Sequence, residues 1–208
     1  MRGPLKDQWN EFDWEAELKK DDARVDTYMR ELPRYIDLPA EDAVIMKHIQ
    51  EKPDLVPFNG DYRESSLYEL FEDNDVDEEV DFSDDWQKRD GADFFIVAGR
   101  LARLWAQYFA SETNPEQTVA GMRILCLYGK IMARGADLID MEDDEYPALR
   151  VALVKRLLSD VNQLMGELQR LSAKIPSAAE KADFHFEHLM TFREKVLALL
   201  AKYRSGKS

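Results

Sequence analysis

The sequence predicts an all-α protein, an antiparallel bundle of four long helices with shorter N-terminal helices packed against it. Two observations lead to this prediction. Apolar residues in the C-terminal part recur with alternating spacings of three and four, the pattern of a helical core seam. Helix-forming residues are abundant, whereas the 9 Gly and 8 Pro lie mostly outside the strongest apolar stretches.

The N-terminal part is expected to hold short helices separated by prolines. The first is predicted over residues 15–32 and ends at Pro33, because proline removes a backbone donor from a helix interior. A second helix is predicted over residues 40–51, where acids follow a proline. After a Pro/Gly-containing loop, a third helix is predicted over residues 64–72.

The first two bundle helices are predicted over residues 92–111 and 115–140. The second is apolar nearly all round at residues 124–128, which indicates a central position, and its Cys126 is expected to be a buried structural thiol. The apolar stripe of the first helix consists of Phe94, Val97, Leu101, Leu104, Trp105 and Tyr108.

The last two bundle helices are predicted over residues 145–174 and 178–204. Short connections between long helices favour antiparallel neighbours. The first of these two helices has a heptad seam of Val154, Leu157, Val161, Leu164, Leu168, Leu171 and Ile175. The seam of the second is Ala182, His185, Leu189, Phe192, Val196, Leu199 and Tyr203.

Charge divides the chain into an acidic region, 1–91, and a nearly neutral bundle region, 92–208. Residues 1–91 hold 27 Asp/Glu and 12 Lys/Arg, whereas residues 92–208 hold 15 and 16. The whole net charge of −14 therefore originates in the N-terminal region. Such a surface repels free nucleic acid and anionic membranes and favours a protein partner with a basic surface.

The strongest concentration of acids lies in residues 69–85, which contain ten Asp/Glu and no Lys or Arg. Apolar residues spaced among acids are typical of a segment that binds a basic, apolar groove. That groove could belong to a partner, or to the bundle helices that hold Arg100, Arg103, Arg123 and Arg134. The candidate partner-binding residues are Glu72, Asp73, Asp75, Asp77, Glu78, Glu79, Asp81, Phe82, Asp84 and Asp85.

Calcium binding is an alternative for the same segment, because Asp73, Asp75 and Asp77 are spaced as in an EF-hand loop. Two residues depart from that pattern. Glu78 stands where the loop needs a glycine, and Asp84 stands where a longer glutamate is usual. We therefore expect a solvated acidic segment, with no cofactor, and keep calcium as the alternative.

Magnesium is an alternative at the turn after the second bundle helix, where Asp137 and Asp140 precede further acids. Paired carboxylates can hold Mg²⁺ against a diphosphate, as in all-α phosphohydrolases. A second acidic motif facing the same cavity is missing from the bundle helices, and acids at a helix N-terminus also stabilise its dipole. We expect these carboxylates to be structural.

Two further features are interpreted as structural. His185 and His188 could share a helix face and bind a metal, but His185 lies on the apolar seam, which favours a hydrogen-bonded core histidine. Gly121, Gly129 and Gly135 each cost about 1 kcal/mol in a helix, so close packing against a bulky neighbour is expected to compensate.

These patterns favour a non-enzymatic interaction protein, an adaptor, inhibitor or immunity-type protein that binds a basic partner. The alternatives are a magnesium-dependent all-α phosphohydrolase and a helical protein that assembles into homodimers. The sequence contains no apolar run of the roughly 18 residues that a membrane span needs, and a cytoplasmic location is expected.

Overall fold

A computed structural model describes residues 9–35, 38–55, 84–110, 115–141 and 146–205. Every regular element in these ranges is helical, which confirms the all-α fold class. The α-helices are α1 (Glu11–Tyr35), α2 (Glu41–Gln50), α3 (Ala92–Phe109), α4 (Pro115–Asp140), α5 (Pro147–Lys174) and α6 (Ala179–Arg204). Short 3₁₀ turns are formed by Pro53–Leu55, Asp84–Lys88 and Pro176–Ala178.

The chain divides into two compact units, Met1–Phe82 and Ser83–Ser208. In the first unit, α1 begins four residues earlier than predicted, because Asn10 and Asp13 form a capping box. The Asn10 Oδ1 accepts the Phe12 amide at 2.8 Å, and the Asp13 Oδ2 accepts the Asn10 amide at 3.0 Å. These bonds satisfy amides that have no partner inside the helix.

The predicted end of α1 at Pro33 was also wrong, because the helix continues to Tyr35. A proline so near the C-terminal end of the helix removes only one intrahelical hydrogen bond. The last turn gains contacts with α2 in return. The Tyr35 hydroxyl lies 3.4 Å from the His48 Nδ1 atom, and their rings are 5.4 Å apart.

Helix α2 matches its predicted range within one residue at each end, and it packs against α1. Ile45 and Ile49 are its buried residues, and Thr27 of α1 is buried as well. The Tyr28 hydroxyl donates a hydrogen bond to the Asp42 carboxylate, and Arg24 donates to the Leu55 carbonyl at 2.9 Å. Polar bonds thus accompany the apolar contact between α1 and α2.

In the second unit, consecutive helices from α3 to α6 pack against one another. Both predicted seams lie in the core: every seam residue of α5 is buried, as are those of α6 from Ala182 to Leu199. Helices α3 and α6 meet through aromatic rings, with Phe94 and Phe192 centred 5.1 Å apart. Leu104 of the predicted α3 stripe is 42% exposed, so that stripe is narrower than predicted.

Glycines permit the close approach of α3 and α4. A Cβ atom at Gly121 would lie 2.3 Å from the Phe109 ring, and one at Gly135 would lie 3.0 Å from the Phe95 amide nitrogen. A Cβ atom at Gly91, whose φ is +100°, would lie 2.6 Å from the Gly135 carbonyl oxygen. The expected role of close packing is therefore confirmed for Gly121 and Gly135. It is wrong for Gly129, which has nothing within 4 Å of its Cβ position.

The expectation that Cys126 is buried was wrong, because its side chain is exposed. Met122 is 49% exposed on the same outward face of α4, and Gly129 and Ala133 are exposed as well. Helix α4 is therefore buried on one side and open on the other. The run at residues 124–128 suggested burial on all sides because its exposed position holds a cysteine, which resembles an apolar core residue in the sequence.

No helix in the described part of the chain is both long and apolar enough to cross a membrane.

Candidate functional site

Most of the predicted partner-binding segment lies outside the described residues, and with it the candidate calcium ligands Asp73, Asp75 and Asp77. The described backbone begins again at Asp84, where Asp84 and Asp85 open the 3₁₀ turn Asp84–Lys88. The helix predicted over residues 64–72 also falls outside. The candidate sites whose side-chain positions are described therefore lie in the second unit.

The magnesium candidate Asp137 belongs to what we call the Arg134 centre, formed by Arg134, Asp137 and Asp160. The Arg134 guanidinium lies 3.7 Å from the Asp137 carboxylate and 3.9 Å from that of Asp160 on α5. Arg134 and Asp160 are both buried. Carboxylates from α4 and α5 thus approach the same cation, the Arg134 guanidinium.

Burial raises the pKa of the Asp137 carboxyl, the Arg134 guanidinium opposes this shift, and the Asp140 charge reinforces it. Among the described residues, no group of three or more His, Cys, Asp or Glu side chains is arranged to hold a metal ion. The Arg134 centre is best understood as a buried ion pair that joins α4 to α5. Its buried acid, Asp160, was not among the predicted site residues.

Two further arginines bind the C-terminal end of α4. Arg89 donates to the Ile139 carbonyl at 3.1 Å, and Arg150 donates to the Met141 carbonyl at 3.2 Å. Carbonyls at a helix C-terminus have no intrahelical donor, and positive charge there is favourable. The Arg150 guanidinium also lies 5.7 Å from the centre of the Tyr203 ring.

The two candidate histidines, His185 and His188, contact different partners. The His185 Nδ1 atom lies 2.7 Å from the Tyr128 hydroxyl, whereas the His188 Nδ1 atom donates to the Phe184 carbonyl at 2.8 Å. Each ring is therefore held by a different partner.

His185, Tyr128 and Trp105 form what we call the His185 centre, which lies in the core. The Trp105 ring is centred 5.3 Å from the His185 ring, and the Trp105 indole donates to the Gly121 carbonyl at 3.1 Å. Burial lowers the pKa of His185 to about 4, helped by the charges of His188 and Lys181. A neutral imidazole can accept a hydrogen bond from the Tyr128 hydroxyl at Nδ1, so this centre is a satisfied polar contact inside the core.

The described surface also contains a cleft of about 430 Å³ between α4 and α5, which we call the basic cleft. It combines three basic side chains with one acid and an apolar floor. Its lining residues are Val119, Ala120, Arg123, Glu167, Arg170, Leu171, Lys174 and Ile175. Arg123, Arg170 and Lys174 outnumber Glu167, so the cleft favours an anionic occupant.

Helix periodicity positions these side chains. Four lining residues share one face of α5, because three of them lie three, four and seven residues after the first. They are Glu167, Arg170, Leu171 and Lys174. The Arg170 guanidinium bonds Glu167 at 2.8 Å and the Gly166 carbonyl at 3.3 Å, so both charges are held on α5. Arg123 approaches from α4 and forms no ion pair with a described residue.

Comparison with known proteins finds no matching family model, no matching curated protein and no matching solved structure. The interpretation of the sites therefore depends on their own residues.

Arg123 was predicted only as one of four bundle arginines, and Arg170, Lys174 and Glu167 were not predicted as site residues. A signal was present, because basic residues at 170 and 174 flank the seam residue Leu171 on one helix face. What the sequence did not contain was the register of α4 against α5, which brings Arg123 to the same cleft.

Proposed function

We propose that this chain is a non-enzymatic protein-interaction module, of the adaptor, inhibitor or immunity type, whose acidic N-terminal region binds a protein with a basic surface. The observation that carries the proposal is the division of charge, −15 over residues 1–91 against +1 over residues 92–208. Opposite charges accelerate encounter, and like charges exclude wrong partners.

Helix α1 supports the proposal in the described part of that region. It contains eight Asp/Glu and five Lys/Arg, a net charge of −3. Each of the five basic side chains forms an ion pair within α1, for example Lys19 with Glu15 and Arg34 with Glu31. The helix therefore neutralises its own cations and keeps an acidic surface.

Exposed apolar side chains on α1 add the contact area that a protein interface needs. Phe12 is 67% exposed, Val25 52% and Met29 48%. Charged groups alone give encounter and specificity, whereas buried apolar and aromatic groups give most of the affinity. An acidic helix with exposed Phe and Met side chains suits a basic, partly apolar protein surface.

The test is affinity capture from native lysate with the full chain, at low and at physiological salt, followed by calorimetry with the purified partner. Neutralising the acidic segment with Asp75→Asn and Asp77→Asn should weaken binding by about two- to thirtyfold, because each exposed charge pair contributes about 0.2–1 kcal/mol. The control is Glu180→Gln with Glu187→Gln on α6, which removes the same number of negative charges and should leave the affinity unchanged.

Two outcomes would contradict the proposal. One is the absence of saturable binding to any partner at both salt concentrations. Binding that depends on surface charge should persist at low salt, because screening is strong only at the higher salt concentration. The other is an equal loss of affinity in both double variants, which would show that net charge alone controls the association.

We also infer that α3 to α6 form an antiparallel four-helix bundle. In an antiparallel pair of helices, residues that rise in number along one helix meet residues that fall along the other. The supporting pairs are Phe94–Phe192 and Trp105–His185 between α3 and α6, and Asn162–Arg193 and Ser172–Asp183 between α5 and α6. A parallel pair of helices would instead bring the rings of Phe94 and His185 together. Nuclear Overhauser contacts between these two rings would therefore contradict the antiparallel arrangement.

A further inference from the structure

We propose that the basic cleft between α4 and α5 is a second binding site, which takes a short acidic peptide segment of a protein partner with at least one apolar side chain. This proposal concerns the cleft between α4 and α5 and does not rest on the function proposed for the acidic N-terminal region. It assigns the protein two surfaces of opposite charge.

The charge of the cleft argues for an anionic occupant. Arg123, Arg170 and Lys174 line it together with a single acid, Glu167. In a protein with a net charge of −14, this is a local reversal of sign. An arginine guanidinium matches a carboxylate in shape as well as in charge, because it offers parallel N–H donors.

The apolar floor argues that the occupant carries more than charge. Leu171 and Ile175 are largely buried beneath the cleft, and Val119 remains 56% exposed at its edge. An apolar side chain that covers Val119 would remove this surface from water, which is favourable in proportion to the area buried. A bare inorganic anion would leave it uncovered.

The single acid argues for a peptide over a polyphosphate. Glu167 accepts from Arg170 at 2.8 Å and offers further acceptor capacity at the same wall. A peptide supplies backbone N–H donors for this carboxylate and carboxylates for Arg123, whereas nucleic acid and anionic lipid present mainly negative oxygens. The volume of about 430 Å³ lies near the lower end of ligand pockets, about 300–1,000 Å³, so only a short part of the peptide is enclosed.

The net charge of the whole chain also disfavours long polyanions. Nucleic acid affinity comes largely from neutralised phosphates, and the acidic N-terminal region would repel an extended strand or a charged bilayer. A short segment that enters the cleft contacts the basic side chains that line it, and exposed charges farther than about 8–10 Å from it are screened at physiological salt.

The experiment is fluorescence polarisation with the full chain and a labelled peptide in which Asp and Glu alternate with Leu and Phe. We expect saturable binding that weakens as salt rises. The variant Arg123→Glu should raise the Kd at least about fivefold, because it replaces an attractive charge with a repulsive one. A peptide with Ser in place of Leu and Phe should also bind more weakly, because it leaves Val119 uncovered.

The matched control is Arg103→Glu, which changes the net charge equally at an exposed position on α3 that does not line the cleft. Its Kd should remain within about twofold of that of the unaltered protein. Helix content and thermal unfolding of each variant are checked by circular dichroism. If Arg123→Glu unfolds the protein, Arg123→Gln gives the same comparison with a smaller expected change.

Three results would overturn the proposal. The first is the absence of saturable peptide binding at low salt. The second is an equal loss of affinity in the Arg123 and Arg103 variants, which would assign binding to the overall field. The third is tighter Arg123-dependent binding of a single-stranded oligonucleotide or of phosphatidylserine vesicles, which would assign the cleft to another class of partner.

Discussion

Acid should destabilise the second unit through one buried side chain, His185. Its ring is 3% exposed and bonds the Tyr128 hydroxyl at 2.7 Å. Burial lowers its pKa to about 4, from an ordinary value of 6.5 that we assign to the unfolded chain. Below pH 6.5 the unfolded state therefore binds a proton that the folded state excludes, and the free energy of unfolding falls.

The size of the effect follows from the difference between the two pKa values. One pKa unit corresponds to about 1.4 kcal/mol, so the loss between pH 6.5 and pH 4 approaches about 3 kcal/mol. Above pH 6.5 the imidazole is neutral in both states and the stabilisation is fully present. Below pH 4 both states hold the proton, and this contribution no longer changes. Typical domains are stable by about 5–15 kcal/mol, so the loss is measurable.

The assay combines a site-specific and a global measurement. Heteronuclear NMR of the histidine side chains gives the pKa of His185 directly. Urea unfolding at pH 7 and pH 4.5 is then compared between the unaltered protein and His185→Gln, which retains an acceptor for Tyr128 but does not titrate. Subtraction removes the contribution of the many carboxylates. A His185 pKa at or above 6.5, or the same loss of stability in both proteins, would refute the reasoning.

Four further predictions concern α4. Tyr128→Phe leaves the buried His185 Nδ1 without its hydrogen-bond partner and should cost about 1–3 kcal/mol in urea unfolding; an unchanged midpoint would contradict this. Gly135→Leu should destabilise by at least about 1–3 kcal/mol, because even its Cβ would lie 3.0 Å from the Phe95 amide nitrogen. Gly129→Ala should instead stabilise by up to about 1 kcal/mol, because nothing lies within 4 Å. Thermal unfolding checks both glycine variants, and a change in the same direction would be inconsistent with the packing. The exposed Cys126 should react with Ellman's reagent in the folded protein, whereas slow reaction would indicate burial.

The sequence predicted the helices of the second unit well, because their apolar seams repeat over many turns. The predicted ranges 115–140 and 178–204 compare with α4, Pro115–Asp140, and α6, Ala179–Arg204. The start of α1 was missed because it depends on two side chains, Asn10 and Asp13, outside any periodic pattern. A local cap of this kind gives a much weaker signal than a repeated seam.

The candidate sites were predicted less well, because they depend on contacts between helices. Asp160 precedes the seam residue Val161 and resembles an ordinary surface acid in the sequence. Its burial follows from the position of Arg134 on the neighbouring helix. The same holds for Cys126, whose exposure depends on which side of α4 its neighbours cover. Spacing along one helix gives the face of each residue, but not the partner that the face meets.

The arginines that bind the C-terminal carbonyls of α4 have a consequence for folding kinetics. Arg89 precedes α3 and Arg150 belongs to the first turn of α5, so two distant segments must be in position before the last turn of α4 is complete. That turn should therefore form late, and substitutions of either arginine should accelerate unfolding more than they slow folding. Amide exchange at residues 138–141 would then report the joint opening of α4, the first turn of α5 and the segment before α3 instead of local fraying.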